Sequence, residues 1–252
     1  MISRTECLSY LETILEPDKF QDYCPNGLQV AGNETINTLV TGVTASQELL
    51  DAALDLKADT ILVHHGYFWR GEDPRVVGIK KRRLKQLLVN NINLIAYHLP
   101  LDAHSVMGNN AQLAKLLEIE VHGCIKGTGE PNIALHGHIQ SPMMAVDFAD
   151  KISHVLQREP LLIEGHNRPI KSIGWCSGAA QGYIEQSAEL GLDAFISGEI
   201  SEQTVHLARE LGIHYFAAGH HATERYGVQA LGKNLAEKYD LRHHFIDIDN
   251  PV

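Results

Sequence analysis

Histidines and carboxylates recur in this chain where short apolar runs end: His64-His65, His98 followed by Asp102, and His220-His221 followed by Glu224. Imidazole nitrogens and carboxylate oxygens together suit Zn, Fe, Mn or Co better than Ca, which takes oxygen donors. His64, His65, Asp102, His220 and Glu224 exceed the needs of one tetrahedral ion. Carboxylates bridge, so Asp102 and Glu224 are candidates to touch two divalent ions about 3.5–4 Å apart, the spacing of two-metal hydrolytic sites.

Successive strand residues face opposite ways, so a shared target for His64 and His65 requires the backbone to turn, and Gly66 is read as permitting that turn. Taken alone, such a pair is more often a core or surface pair than a ligand pair. His220 and Glu224 are four apart, the spacing that places both on one face at a helix start. His98 is expected beside the ions, orienting Asp102 or a water, with a hydrogen-bonded strand-end histidine as the alternative. His98, His221 and Glu199 are the candidates for proton transfer. His221 and His104 are equally readable as bystanders. The remaining histidines, His122, His136, His138, His154, His166, His206, His214, His243 and His244, are read as structural.

The elements that must position these groups form a doubled α/β unit. Residues 36–66 lie without a gap on residues 170–200, each reading strand, helix, strand. Thr38 to Val43 and Ser172 to Ser177 are the first strands. The helices follow, with Leu49, Leu50, Ala53 and Leu54 in one copy matched by Tyr183, Ile184, Ser187 and Ala188 in the other. Asp59 and Asp193 then introduce apolar second strands, Thr60 to His64 and Ala194 to Gly198. Such crossovers make the paired strands parallel. Thr44 with Gln47 fits a capping box at the first helix, and Glu199 falls at the place of His65. The match extends to residues 93–104 and 214–224, pairing His98 and Asp102 with His220 and Glu224. All the candidate ligands then fall at carboxyl ends of strands, where open α/β sheets bind ligands. Further helices are expected near 3–14, 79–91, 109–118, 144–157, 202–212 and 224–238, and strands near 132–139 and 242–248. The Gly-rich stretch His122 to Pro131 is the expected hinge. It divides the chain into a first lobe of residues 1–125, joined by 226–252, and a second of 126–225.

A length of 252 residues with 44% hydrophobic content is enough for one large domain or two modest lobes. The N-terminal residues form an amphipathic helix rather than a signal segment, and no apolar run approaches the roughly 20 residues of a bilayer span, so a cytoplasmic protein is expected. Cys7, Cys24, Cys124 and Cys176 lie apart without a C-x-x-C pair, as free thiols do. The net charge of −10 opposes binding to nucleic acid or an anionic membrane. The exception, Lys80 to Arg83 with Lys85, sits on a helix with the apolar stripe Leu84, Leu87 and Leu88. It reads as a solvated face, with a local anion site as the alternative.

Five stretches, in order, are Asn26-Gly27-Leu28-Gln29-Val30, Leu62-Val63-His64-His65-Gly66, Tyr97-His98-Leu99-Pro100-Leu101-Asp102, Ser197-Gly198-Glu199 and Gly219-His220-His221-Ala222-Thr223-Glu224. On these the chain resembles the GTP cyclohydrolase 1 type 2 homologues, also called the Ngg-one-interacting-factor-three-like family. The resemblance implies metal ligation by His64, His65, Asp102, His220 and Glu224. It implies an α/β fold of two duplicated, intertwined three-layer α/β/α lobes with mostly parallel central sheets, in the short form without an inserted domain. It also implies assembly into a ring-shaped homohexamer. The leading functional expectation is a metal-dependent hydrolase acting on a nucleotide-like or other small polar substrate. The alternative is a metal-binding, metal-delivery or regulatory scaffold without turnover.

Overall fold

A computed structural model describes all 252 residues. In chain order the strands are β1 Ile2–Ser3, β2 Gly27–Val30, β3 Thr35–Ile36, β4 Thr38–Thr44, β5 Thr60–His65, β6 Asn93–Ala96, β7 Ile119–Cys124, β8 Leu135–Met143, β9 Leu161–Ile163, β10 Ile170–Trp175, β11 Ala194–Ser197, β12 His214–Ala217 and β13 Arg242–Phe245. The helices are α1 Arg4–Leu15, α2 Gln47–Asp55, α3 Gly78–Val89, α4 Leu99–Ala103, α5 Asn109–Leu117, α6 Ala145–Leu156, α7 Ile184–Glu189, α8 Glu202–Leu211 and α9 His220–Tyr239. None is long and apolar enough to cross a membrane. The chain divides into two compact units, residues 1–101 with 227–249, and residues 102–226 with 250–252.

The first unit holds a five-stranded sheet in the order β13-β4-β5-β6-β2, parallel except for the antiparallel edge strand β2. Val40, Ile61, Val63, Leu94 and Ala96 point to one face and pack against Leu49, Leu50 and Ala53 of α2 and Leu84 and Leu87 of α3. Their neighbours Leu39, Leu62 and Ile95, pointing the other way, are as deeply buried. Burial on both faces is the rule for parallel strands and explains why these runs are continuously apolar. Leu88, expected in the α3 stripe, is exposed instead. The α2 helix is capped by Ser46, whose hydroxyl accepts the Leu49 N–H at 3.2 Å; Thr44 is still in β4 and makes no capping box.

The second unit holds a six-stranded sheet in the order β7-β8-β10-β11-β12-β9, with β10, β11 and β12 parallel at its centre and antiparallel strands on both sides. Here the three layers are explicit. Ile173, Trp175, Ala194, Ile196 and Phe216 pack with Leu113 and Leu117 of α5 and Phe148 and Ile152 of α6. Phe195, Tyr215 and Ala217 pack on the opposite face with Ile184 of α7 and Ala208 of α8. The β7–β8 hairpin belongs to this sheet, so residues 102–125 join the second unit, where the sequence reading had put them in the first. The expected hinge, His122 to Pro131, is the end of β7 and its connection to β8.

The repeat is realised element by element: β4, α2 and β5 match β10, the Gln181–Tyr183 3-10 turn with α7, and β11. One register differs from the expectation. Tyr97 N donates to Val63 O at 3.1 Å and Ala218 N to Ser197 O at 2.8 Å, so Tyr97 corresponds to Ala218 and His98 to Gly219. His220, which opens α9, therefore occupies the place of Leu99, which opens α4.

Candidate metal centre

In the first unit the buried run of β5 delivers His64 and His65 to the carboxyl edge of the sheet. His64 is fully buried and its Nδ1–H donates to Tyr97 O at 3.0 Å, a bond that leaves the lone pair on Nε2. His65 places Nδ1 3.1 Å from Thr44 Oγ1 on the paired strand. The two rings are neighbours, with centroids 4.6 Å apart. Gly66 serves that turn by close approach rather than by unusual backbone angles: a β-carbon there would sit 2.7 Å from Ala96 Cβ and strike the Gln29 side chain.

His98 completes an imidazole cluster, its ring 5.0 Å from that of His64 and 5.7 Å from that of His65. Nitrogens of the three lie within 4.8 Å of one another. The carboxylate that orients His98 is Asp22, which accepts from Nδ1–H at 2.6 Å. Asp22 also accepts from the backbone N–H groups of Tyr23 and Leu99 and from Asn26 Nδ2, while the Asn26 amide oxygen accepts from His98 N. Burial raises the Asp22 carboxyl, but the hydrogen bond and charge of His98, with those N–H donors, more than reverse it and hold the acid below its usual range. Trp69 stands edge-on to His98 at 5.1 Å, and Tyr67 turns into the core and donates to Ala45 O. Asp22 escaped the sequence reading because it lies in an irregular loop before β2; its only signal was proximity to Asn26.

In the second unit Asp102, on α4, is buried and Oδ1 accepts from Asn109 Nδ2 at 2.9 Å and Ser177 Oγ at 2.8 Å. Ser177 follows β10, and Asn109 opens α5. His220 is held between two acids: Nδ1–H donates to Glu199 Oε1 at 2.7 Å, and Nε2 lies 3.2 Å from Oε2 of buried Glu224. Burial disfavours the imidazolium, but Glu224 and then Glu199 outweigh it and push His220 up to about 9. Glu199 thus holds the His220 ring through Nδ1. Carboxylate oxygens of Asp102 and Glu224 lie within 4.8 Å of each other, so the two acids address one place. Gly178, at φ 65°, makes room for Glu224 and His220, because a β-carbon there would strike Glu224 Oε1 and sit 3.3 Å from His220 Nε2.

The other candidates have further partners. His221 follows His220 directly on α9 and so faces another side of the helix; its N–H donates to Val252 O at 3.0 Å. His104 Nδ1 accepts the N–H groups of Val106 and Met107 and caps that turn, and burial holds it below the ordinary histidine range. All four cysteines are free thiols, three buried and Cys124 exposed. Lys80 pairs with Glu72 at 3.1 Å, while Lys81, Arg82 and Lys85 line an open groove on α3.

Comparison with known proteins places this geometry. A family model described as Duf34/NIF3 (NGG1p interacting factor 3) matches residues 2–251. A protein of Pseudomonas aeruginosa named GTP cyclohydrolase 1 type 2 homolog is 56% identical over 238 residues, 94% of each chain. A protein of the same name from Haemophilus influenzae is 56% identical over 239 residues, 94% of this chain and 95% of its own. The solved structure of protein ybgI, described as of unknown function, superposes with a TM-score of 0.96 at 49% identity and covers all of both chains. With the family model spanning nearly every residue and relatives above half identity, the chain belongs to the Duf34/NIF3 family.

Proposed function

We propose that this protein binds a pair of divalent transition-metal ions through His64, His65, Asp102, His220 and Glu224 and uses them to hydrolyse a nucleotide-like or other small polar substrate. The observation that carries the reading is the buried acid pair: Asp102 and Glu224 bring carboxylate oxygens within 4.8 Å of each other. Like charges that close and that buried repel unless one is protonated or a positive charge lies beside them, and a bound cation supplies such a charge. Three imidazoles and two carboxylates fit Zn, Fe, Mn or Co. When bound, such ions polarise an electrophile and acidify a water toward neutral pH.

The chain's own residues prepare that chemistry. Tyr97 O fixes the tautomer of His64, Glu199 turns Nε2 of His220 toward Glu224, and Asn109 with Ser177 holds Asp102. Donors oriented this way from behind are typical of metal-binding histidines and carboxylates. His98, anchored by Asp22, is the group suited to carry a proton to or from the substrate, with its ring nearly perpendicular to that of Trp69. The relatives' name directs the first screen to purine nucleotides, where hydrolysis opens the imidazole ring of the base and releases formate. A ring-shaped homohexamer belongs to the same reading.

Elemental analysis of gently purified protein, followed by a nucleotide screen with that metal restored, tests the proposal. About two ions per chain are expected, with turnover lost in folded Glu224→Gln. Two ions without turnover on any small polar substrate would reduce the reading to metal binding or delivery, and unchanged metal content in Glu224→Gln would remove the site itself.

A further inference from the structure

Asp22 and Cys24 stand two residues apart in the irregular loop before β2, and both side chains are buried. A carboxylate oxygen of Asp22, the Cys24 sulfur and a ring nitrogen of His98 all lie within 4.8 Å of one another. On the Asp22 to His98 side the atoms are Oδ1 and Nδ1, at 2.6 Å. Donors bound at about 2.0–2.3 Å to one tetrahedral zinc ion stand about 3.3–3.6 Å apart, so side-chain adjustments of about 1 Å bring these three onto a common centre. Imidazole, carboxylate and thiolate are all zinc donors. The Asp22 carboxylate is also held from behind, because Oδ2 accepts from Asn26 Nδ2 and from the Leu99 N–H.

The same loop gives an ion its way in. A cavity of about 850 Å³ is lined by Asp22, Cys24 and Asn26 and by the acids Glu12, Glu16 and Asp18. Lys19 pairs with Glu16 at 2.6 Å, which still leaves negative charge in excess along the walls, and a cleft of one sign gathers ions of the other. Burial, then the charge of Asp22, pushes the Cys24 thiol up to about 12, so the sulfur lies in the field of that carboxylate and keeps its proton until a cation offsets it.

We propose that Asp22, Cys24 and His98 form a site for a single zinc-class divalent ion, entered from this cavity. The ion takes the place of the hydrogen on His98 Nδ1. The ring hydrogen moves to Nε2 and the Cys24 thiol gives its proton to solvent, so one proton leaves for each ion bound. A fourth coordination position stays open for water. The inference stands apart from the paired ions proposed above, whose ligands are nitrogen and oxygen alone.

That difference in donors supplies the test, a titration of chelator-stripped, full-length protein with cobalt(II) chloride. A sulfur-to-cobalt charge-transfer band is expected to saturate at about one equivalent per chain and to be displaced by zinc chloride. The band is expected to survive in Glu224→Gln and in Cys124→Ser and to vanish in Cys24→Ser. Nitrogen and oxygen ligands give no such band, so a failure of the paired site leaves this readout intact. Asp22→Asn is expected to weaken cobalt binding by at least about 10-fold, the loss found even for carboxylates one step behind a ligand. Long-range proton–nitrogen NMR of Glu224→Gln, which keeps all three donors, is expected to show a zinc-dependent shift at His98 Nδ1. Absence of the band in wild type, its persistence in folded Cys24→Ser, or an unmoved Nδ1 signal on zinc saturation would overturn the proposal.

Discussion

Asp59 and Asp193 perform the same act in the two copies of the repeat. Asp59 Oδ2 accepts the backbone N–H groups of Asn37 and Thr38, each at 2.8 Å, and Asp193 Oδ2 accepts those of Lys171 and Ser172, each at 3.0 Å. In both, the acid that introduces the second strand ties down the start of the first. Asp193→Ala should destabilise the protein by about 1–2 kcal/mol, the cost of losing charge-assisted bonds at a partly exposed site. Burial raises the Asp193 carboxyl, but the Ser172 and Lys171 donors win and hold it below the ordinary value of 3.8. Its contribution is therefore complete above that pH and is lost as pH falls below it. Denaturant unfolding of wild type and variant at neutral and acid pH reads both effects, and a difference that persists undiminished in acid would contradict the linkage.

His214 gives stability a second acid sensitivity of the same sign, at higher pH. It is 1% exposed, accepts Gly165 N–H at Nδ1, and meets His166 in an edge contact with centroids 4.0 Å apart. Burial, then the charge of His166, lowers its pKa from the ordinary 6.5, against the smaller opposing influence of Glu164 and Asp193. The neutral ring is the folded form, so its contribution is whole above 6.5 and is lost as pH falls through the depressed value. The stability of wild type relative to His214→Gln should shrink on moving from pH 7.5 to about 5. Parallel curves for the two proteins would refute this.

Glu199→Gln should leave the fold intact and weaken metal binding about 10- to 100-fold, the usual penalty for removing a carboxylate behind a ligating histidine. Competition with a chromophoric chelator measures it. An affinity equal to wild type would mean that Glu199 does not orient His220.

Gly178→Ala should be more damaging than its size suggests. The position combines φ 65° with an approach to Glu224 Oε1 that a methyl group cannot share. A loss of more than about 1 kcal/mol is expected from the backbone alone, together with reduced metal content. Full retention of metal in the alanine variant would show that Glu224 has another position open to it.

How far the sequence led differs between scaffold and site. The repeat was legible because strand, helix and strand each leave a periodic apolar mark, and Asp59 and Asp193 punctuate it at the same place. The metal-type residues were legible from chemistry, since His64, His65, Asp102, His220 and Glu224 sit where strands give out. Their supports were not. Ser177 and Asn109 reach Asp102 through folding, not spacing, and neither residue type advertises the role. The equivalence of His98 with Gly219 rather than His220 is a one-residue matter that only the ladder of Tyr97 and Ala218 fixes. The edges of the second sheet were also hidden, because short strands such as β9 owe their state to pairing more than to composition.

Asp22 and His98 are 76 positions apart, and the loop that carries the acid has only the Pro17–Lys19 3-10 turn as regular structure. That loop nevertheless decides which nitrogen of the ring bears the hydrogen. Anyone exchanging segments between relatives would thus have to move residues 17–26 together with the 93–104 stretch. A chimera that took one without the other would inherit an imidazole free to spin and to pick the wrong tautomer, although every histidine remained in place.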